Sequence, residues 1–173
     1  MTDQEIVNFW GIDNLKRWSE SRLRNVNIPE SSKRFLVQVG LPRKERWHFR
    51  FDPEMDDLPA LPNKKNLRRI GLFGYDSSIC LDENQGGGVV WVSADGVRES
   101  VINSDVEHFA RFLVLYGDYV RNSRTVSPKE YMEYVEKVVA RIERKMRKID
   151  PRALEDVESF WSVIIEQMQD GLI

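Results

Sequence analysis

Ile79-Cys80-Leu81-Asp82-Glu83-Asn84-Gln85-Gly86-Gly87-Gly88-Val89-Val90-Trp91-Val92 is the stretch that decides how this chain is to be read. The glycines after Gln85 invite a phosphate site, because glycine-rich loops can aim backbone N–H groups at an anion. A P-loop, however, closes on Gly-Lys-Ser/Thr and runs into a helix, and the dinucleotide fingerprint also needs a helix after its glycines. Here they run into Val89-Val90-Trp91-Val92, a short β-branched and aromatic run of strand type. Asp82 to Gly87 is rich in residues that tolerate positive φ, as a hairpin return requires. The stretch therefore reads as two antiparallel strands and their connection rather than as a phosphate cradle.

Working outward, Leu67, Ile70, Leu72 and Phe73, punctuated by Gly71 and Gly74, predict a strand entering a turn ahead of Ser78-Ile79-Cys80-Leu81. Ala94-Asp95-Gly96-Val97 supplies a second tight return, so that Arg98 to Ile102 pairs back beside the Val89 strand. Connections this short make the sheet an antiparallel meander. Upstream, Arg46-Trp47-His48-Phe49-Arg50-Phe51 alternates aromatic and polar residues as a strand with one covered face does. Between Asp52 and Pro62 lie three prolines and four acids, which block a regular ladder, so a loop is expected there.

Helical patterns flank the meander. Thr2 and Glu5 are spaced as a capping box, and Ile6, Phe9, Trp10 and Ile12 then form one apolar face, with Leu15 and Trp18 as a continuation past Gly11. A second short helix is expected from Pro29 to Val39, stopped by Gly40-Leu41-Pro42. After the meander, Ser104 with Glu107 predicts a capping box, followed by Val106, Phe109, Ala110, Leu113, Val114 and Tyr116 at helical spacing. Ser127-Pro128-Lys129-Glu130 predicts another helix start, running to about Ile149. Asp150-Pro151 stops it, and the last helix carries Leu154, Val157, Phe160, Trp161, Ile164, Ile165 and Met168 on one side and ends at Gly171. The expected class is α+β: a central antiparallel, meander-like sheet with N-terminal and C-terminal helices, the latter from about 127 to 170.

A chain of 173 residues, 41% of them apolar, supports one compact domain over 1–173 rather than two. The 26 basic and 28 acidic side chains leave a formal charge of −2, which produces no broad field for polyanions or membranes. Cys80 is the single cysteine, excluding an internal disulfide framework and a cysteine-based zinc cluster and fitting a reducing compartment. No apolar run approaches the roughly 18 residues of a membrane span, and Met1 to Glu5 lacks the positive charge and apolar run of a secretory signal. The expected location is cytoplasmic.

Chemical constellations are sparse. His48 and His108 lack a second nitrogen ligand at i+4, so each reads as a structural or surface group, and no metal or other cofactor is expected. Cys80 sits between Ile79 and Leu81, which favours a buried inert thiol over a nucleophile paired with His48. The serine-hydrolase elbow Gly-X-Ser-X-Gly is missing, and a His/Cys deaminase zinc cluster cannot be assembled from this composition. An enzyme is the least favoured class.

Two charged stretches remain. Arg141, Arg144, Lys145, Arg147 and Lys148 face the single acid Glu143. Phosphate contact with nucleic acid is the sharp interpretation, but cations near a helix C-terminus also complement its dipole, and the solvated-face interpretation is preferred. Asp52, Glu54, Asp56 and Asp57 form an acidic loop beside Trp47. Such loops are ordinarily only solvated, yet carboxylates next to an aromatic anchor also suit a basic cleft on another protein. These five residues are the candidates for partner contact.

Several strings taken in order resemble the SUKH superfamily of bacterial immunity proteins, most closely its fourth subgroup. They are Phe9-Trp10-Gly11, Arg34-Phe35-Leu36, Val39-Gly40-Leu41-Pro42, Leu67 to Gly71, Ile79-Cys80-Leu81-Asp82, Gly88-Val89-Val90, and Ile102-Asn103-Ser104 followed by Phe109 and Phe112-Leu113. The tail adds Asp150-Pro151-Arg152-Ala153-Leu154 and Phe160-Trp161, so the likeness spans nearly the whole chain. At Asp105 the sequence departs from the small or hydroxyl residue expected. The resemblance implies an α+β domain that works by binding a cognate polymorphic toxin, commonly a nuclease or deaminase, with no catalytic residues to carry over. A scaffold or regulatory module that binds a housekeeping protein, as in eukaryotic members of the superfamily, is the alternative, and a nucleic-acid-binding domain the third. Self-association is left open.

Overall fold

A computed structural model describes residues 1–43, 48–51, 58–127 and 129–173. Among them the order is α+β, as expected: helices first, then an antiparallel sheet, then helices. α1 (Asp3–Trp10) starts on its capping box, with Thr2 Oγ1 accepting from Glu5 N at 3.3 Å and Glu5 Oε2 accepting from Thr2 N at 2.6 Å. Ile6 and Trp10 are its buried face, whereas Ile12 lies beyond the turn at Gly11 and is 56% exposed. The continuation expected through Leu15 and Trp18 is not helical. Leu15 falls in β1 (Leu15–Lys16), which pairs antiparallel with β2 (Leu41–Pro42), and Trp18 donates its backbone N–H to Leu36 O; both side chains are buried. α2 (Glu20–Leu23) and α3 (Glu30–Gln38) lie between these strands, the second where the Pro29 start and Gly40 stop placed it.

The main sheet has the order β3-β5-β6-β7-β8, from β3 (Phe49–Arg50), β5 (Lys64–Phe73), β6 (Ser77–Asp82), β7 (Gly88–Val92) and β8 (Glu99–Asn103), every neighbouring pair antiparallel. The run read as a loop from Asp52 to Pro62 contains β4 (Ala60–Leu61), which also pairs with β5. Prolines on both sides of that pair do not prevent it, because Pro59 and Pro62 lie outside the paired residues and an edge strand needs few donors. Of the strand expected from Arg46 to Phe51, Phe49 and Arg50 form the ladder; Arg46 and Trp47 lie outside the described residues.

Alternation divides the sheet into two faces. Ile70, Ile79, Leu81, Val89 and Ile102 join the helices in the principal core, while Leu67, Cys80, Val90 and Val92 form a smaller cluster on the opposite face, covered by Leu61 of β4. The sheet is curled. Lys64 at the start of β5 forms an ion pair with Glu99 on β8, although three strand spacings of about 4.8 Å each separate those strands in a flat sheet.

α4 (Val106–Ser123) is the central helix, packed against α1, α3, α5 and the sheet, with Phe109, Phe112, Leu113, Tyr116 and Tyr119 buried. Its expected cap is displaced by one residue: Asp105, not Ser104, is the N-cap, its Oδ1 accepting from His108 N at 2.8 Å. Ser104 is otherwise engaged, as the next subsection shows. α5 begins later than the Ser127 signal suggested, at Tyr131, and ends at Ile149. Ser127 Oγ donates to Glu130 Oε2 at 2.5 Å in the preceding turn, and Pro128 lies outside the described residues. Asp150-Pro151 ends α5, but the last helix does not start there. A 3-10 turn (Pro151–Leu154) and an irregular segment intervene before α6 (Phe160–Gln169), leaving Leu154 buried in the turn and Val157 79% exposed rather than on a helix face. None of the helices among the described residues is long and apolar enough to cross a membrane.

Candidate partner-binding surface

The five candidate contact residues, Trp47, Asp52, Glu54, Asp56 and Asp57, lie outside the described residues. The residues bracketing them belong to the core. Phe49 and Phe51 are fully buried, and Phe49 packs its ring against Phe73, Phe109, Tyr116, Phe160 and Trp161. Phe51 occupies the space over Gly71, where an added Cβ would lie 2.5 Å from its ring. His48 accepts a hydrogen bond on its carbonyl from Gly74 N at 2.7 Å, and its Nδ1 meets the Tyr116 hydroxyl at 2.6 Å. Burial holds this imidazole below its ordinary pKa, so at neutral pH it is an uncharged hydrogen-bonding partner.

That same end of the sheet carries two solvent-facing apolar side chains. Tyr75 in the β5–β6 turn is 99% exposed and Val97 in the β7–β8 turn is 76% exposed. Antiparallel pairing of Ser78 with Val92 puts both turns at one end. A fully exposed tyrosine is a residue type that binding surfaces favour.

The most elaborate polar arrangement is internal, and its members were read in the sequence only as separate caps and aromatics. Asp150, 2% exposed, accepts from Asn103 Nδ2 at 3.0 Å, Ser104 N at 2.7 Å and Ser104 Oγ at 2.8 Å. Asn103 Oδ1 in turn accepts from Trp161 Nε1 at 2.9 Å, and His108 Nδ1 stands 3.1 Å from Asp105 Oδ2 and 3.9 Å from Asp150 Oδ2. The end of β8, the start of α4, the end of α5 and α6 are thereby fastened to one carboxylate. One sequence signal pointed this way: an acid at the C-terminus of a helix opposes the helix dipole, so Asp150 needed a reason beyond stopping α5. The strings Ile102-Asn103-Ser104, Asp150-Pro151 and Phe160-Trp161 are thus parts of one scaffold device.

Cys80 and His48 do not meet. Cys80 packs with Leu67, Val90 and Val92 on the outer face of the sheet, whereas His48 packs against Phe73 and Tyr116 on the helix side. Burial, opposed by Arg69 and to a smaller extent reinforced by Glu99, pushes the Cys80 thiol up to about 12. Native Cys80 therefore keeps its proton in a range where the unfolded chain, with a thiol near 9.0, has released it. The native state then binds more protons, so stability is full below about pH 9 and falls as pH rises toward 12. Urea unfolding from about pH 8 to 10.5 is expected to show a steeper loss for the wild type than for Cys80→Ala; equal slopes would contradict this assignment. Among the described residues no group of three or more His, Cys, Asp or Glu side chains is placed to hold a metal ion.

The basic stretch is an exposed face of α5. Arg141, Arg144, Lys145 and Lys148 point to solvent, while Arg147 is held by Glu143 at 2.9 Å and by Leu154 O at 3.0 Å. Both the solvated-face and the phosphate-contact readings require this exposure.

Comparison with known proteins adds one finding. The family described as SUKH-4 immunity protein matches residues 1–167. No curated protein and no solved structure matches the chain.

Proposed function

The chain belongs to the SUKH-4 immunity protein family, and on that premise we propose that it neutralises a cognate polymorphic toxin in the cytoplasm by forming a stoichiometric protein–protein complex, without turning over a substrate. The family match over 1–167 carries this reading, because an immunity function against a toxin is what the family implies. The internal arrangement supports it. Asn103, Ser104, Asp150 and Trp161 of the family strings are committed to fastening the scaffold, which leaves loops and exposed faces to meet a partner. Nucleases and deaminases are the activities commonly countered in this superfamily, others being represented too, and Trp47, Asp52, Glu54, Asp56 and Asp57 contribute to the contact, pairing an aromatic residue with nearby carboxylates in sequence. A stable contact of this kind buries about 1,200–2,000 Å² in total.

The test is coexpression with the product of the adjacent reading frame, followed by titration of the purified toxin. Cells should survive, the two proteins should co-elute, and inhibition should reach its end point at one chain per toxin. Protection that saturates far below equimolar amounts would show neutralisation by turnover and remove the binding reading. Replacing the four acids of the 52–57 segment with serine should weaken the complex, and unchanged affinity would discard their role while leaving the rest intact.

A further inference from the structure

We infer that the groove between α5 and α6 is a docking site for a lysine- or arginine-rich segment of a partner protein. The groove encloses about 440 Å³ and lies between the end of α5, residues 154–157 and the facing side of α6. Leu154 and Ile165 give it an apolar lining; Glu155, Asp156 and Glu166 stand on its rim. The inference rests on the toxin-binding reading for the identity of the partner and adds the surface and the charge by which it is met.

Three observations select a cationic occupant. First, from Ala153 to Ile173 the chain has five acids, Glu155, Asp156, Glu158, Glu166 and Asp170, and no lysine, arginine or histidine. The whole chain carries only −2, so this segment is far more acidic than the chain as a whole. Second, the one cation lining the groove is neutralised in place, since Arg147 is bound to Glu143 and to Leu154 O and does not compete for the rim carboxylates. Glu155, Glu158 and Glu166 are exposed and have no ion-pair partner among the described residues. Third, an apolar side chain stands among the acids. Val157 is 79% exposed, displayed by a segment tied down through Ser159 Oγ to Ala153 O at 3.0 Å and Glu158 N to Asp156 Oδ1 at 2.9 Å. Solvation of an acidic face does not require a valine at its centre. An exposed apolar side chain flanked in sequence by Asp156 and Glu158, in a held segment, suits the aliphatic stem and cationic head of lysine or arginine, and prior ordering lowers what binding must spend on fixing it.

The experiment compares three proteins: the wild type, the groove variant Glu155→Lys/Glu158→Lys/Glu166→Lys, and a control of equal charge change on three exposed acids elsewhere, Asp13→Lys/Glu20→Lys/Glu136→Lys. Toxin affinity of the groove variant is expected to fall at least about 30-fold, against about 3-fold or less for the control. Val157→Ala, which changes no charge, should lose about 5-fold. Toxin bound equally by the wild type and the groove variant overturns the inference and leaves the neutralisation reading standing. A wild type that binds no toxin defeats that reading instead, and the groove is then judged with deca-arginine by NMR titration. Shifts gathered on 155–166 and abolished in the groove variant support it; shifts elsewhere, or none, overturn it. A self-associated wild type that the groove variant renders monomeric assigns the groove to a second copy of the chain and likewise overturns it.

Discussion

Asp150→Ala is expected to lower the unfolding free energy by about 3–5 kcal/mol, because it strands three donors inside the protein, each costing roughly 1–3 kcal/mol with some relief by relaxation. The donors are Asn103 Nδ2, Ser104 N and Ser104 Oγ, and the carboxylate that accepts from them is 2% exposed. One of the three is a backbone group that cannot turn away to find another acceptor. For a chain of this size the loss corresponds to a fall in Tm of about 10 °C, readable by circular dichroism. Ser104→Ala, which removes one donor together with its need, should cost only about 1 kcal/mol. A loss below about 1 kcal/mol for Asp150→Ala would show that these bonds do not hold the C-terminal helices in place.

Gly40→Ala is expected to be comparably severe, at about 3–5 kcal/mol, for a different reason. Gly40 has φ +82°, and a Cβ added there would sit 2.0 Å from Lys16 O and 2.8 Å from Lys16 C. The obstacle is main chain, so no rotamer change relieves it; the β1–β2 pair must part or the turn after α3 must reform. Gly86→Ala separates the contributions. Its φ is +63° but nothing lies within 4 Å of the added Cβ, so the backbone preference alone acts and the loss should be about 1–2 kcal/mol. Urea unfolding of both variants checks this, and equal losses would mean that close packing at Gly40 adds nothing to its left-handed conformation. The glycine of the Val39-Gly40-Leu41-Pro42 string, which with the Asn103-Ser104 helix entry is the most specific part of the family resemblance, is thereby explained by the approach of two backbones.

What could be read from the chain was local. The capping box of α1 needs only Thr2 and Glu5, and the meander needs only β-rich runs joined by residues that accept positive φ. Errors arose where a residue's partner was remote. Ser104 was read as the cap of α4 because it has the right hydroxyl at the right spacing, yet its hydroxyl is taken by Asp150 and Asp105 caps the helix instead. Val157 fitted the apolar period of a last helix, but the chain turns at Pro151–Leu154 and leaves that valine in solvent.

Residue types, periodicity and turn chemistry alone determined the α+β order and the antiparallel sheet, since each depends on interactions spanning a few residues, and the likeness to the immunity-protein family lies in the order of short strings along the chain. Only the tertiary structure decided that Asp150 joins Asn103 and Ser104 across about 46 positions, that Trp161 reaches Asn103 across 58, and that Lys64 meets Glu99 over a curled sheet. The same packing brought Glu166 of α6 to one groove with Glu155 and Asp156 of the preceding segment. The reason is physical: a buried polar group must find its partner wherever the folded backbone brings one, and curvature and helix docking, which set those meetings, are properties of the whole core rather than of any segment.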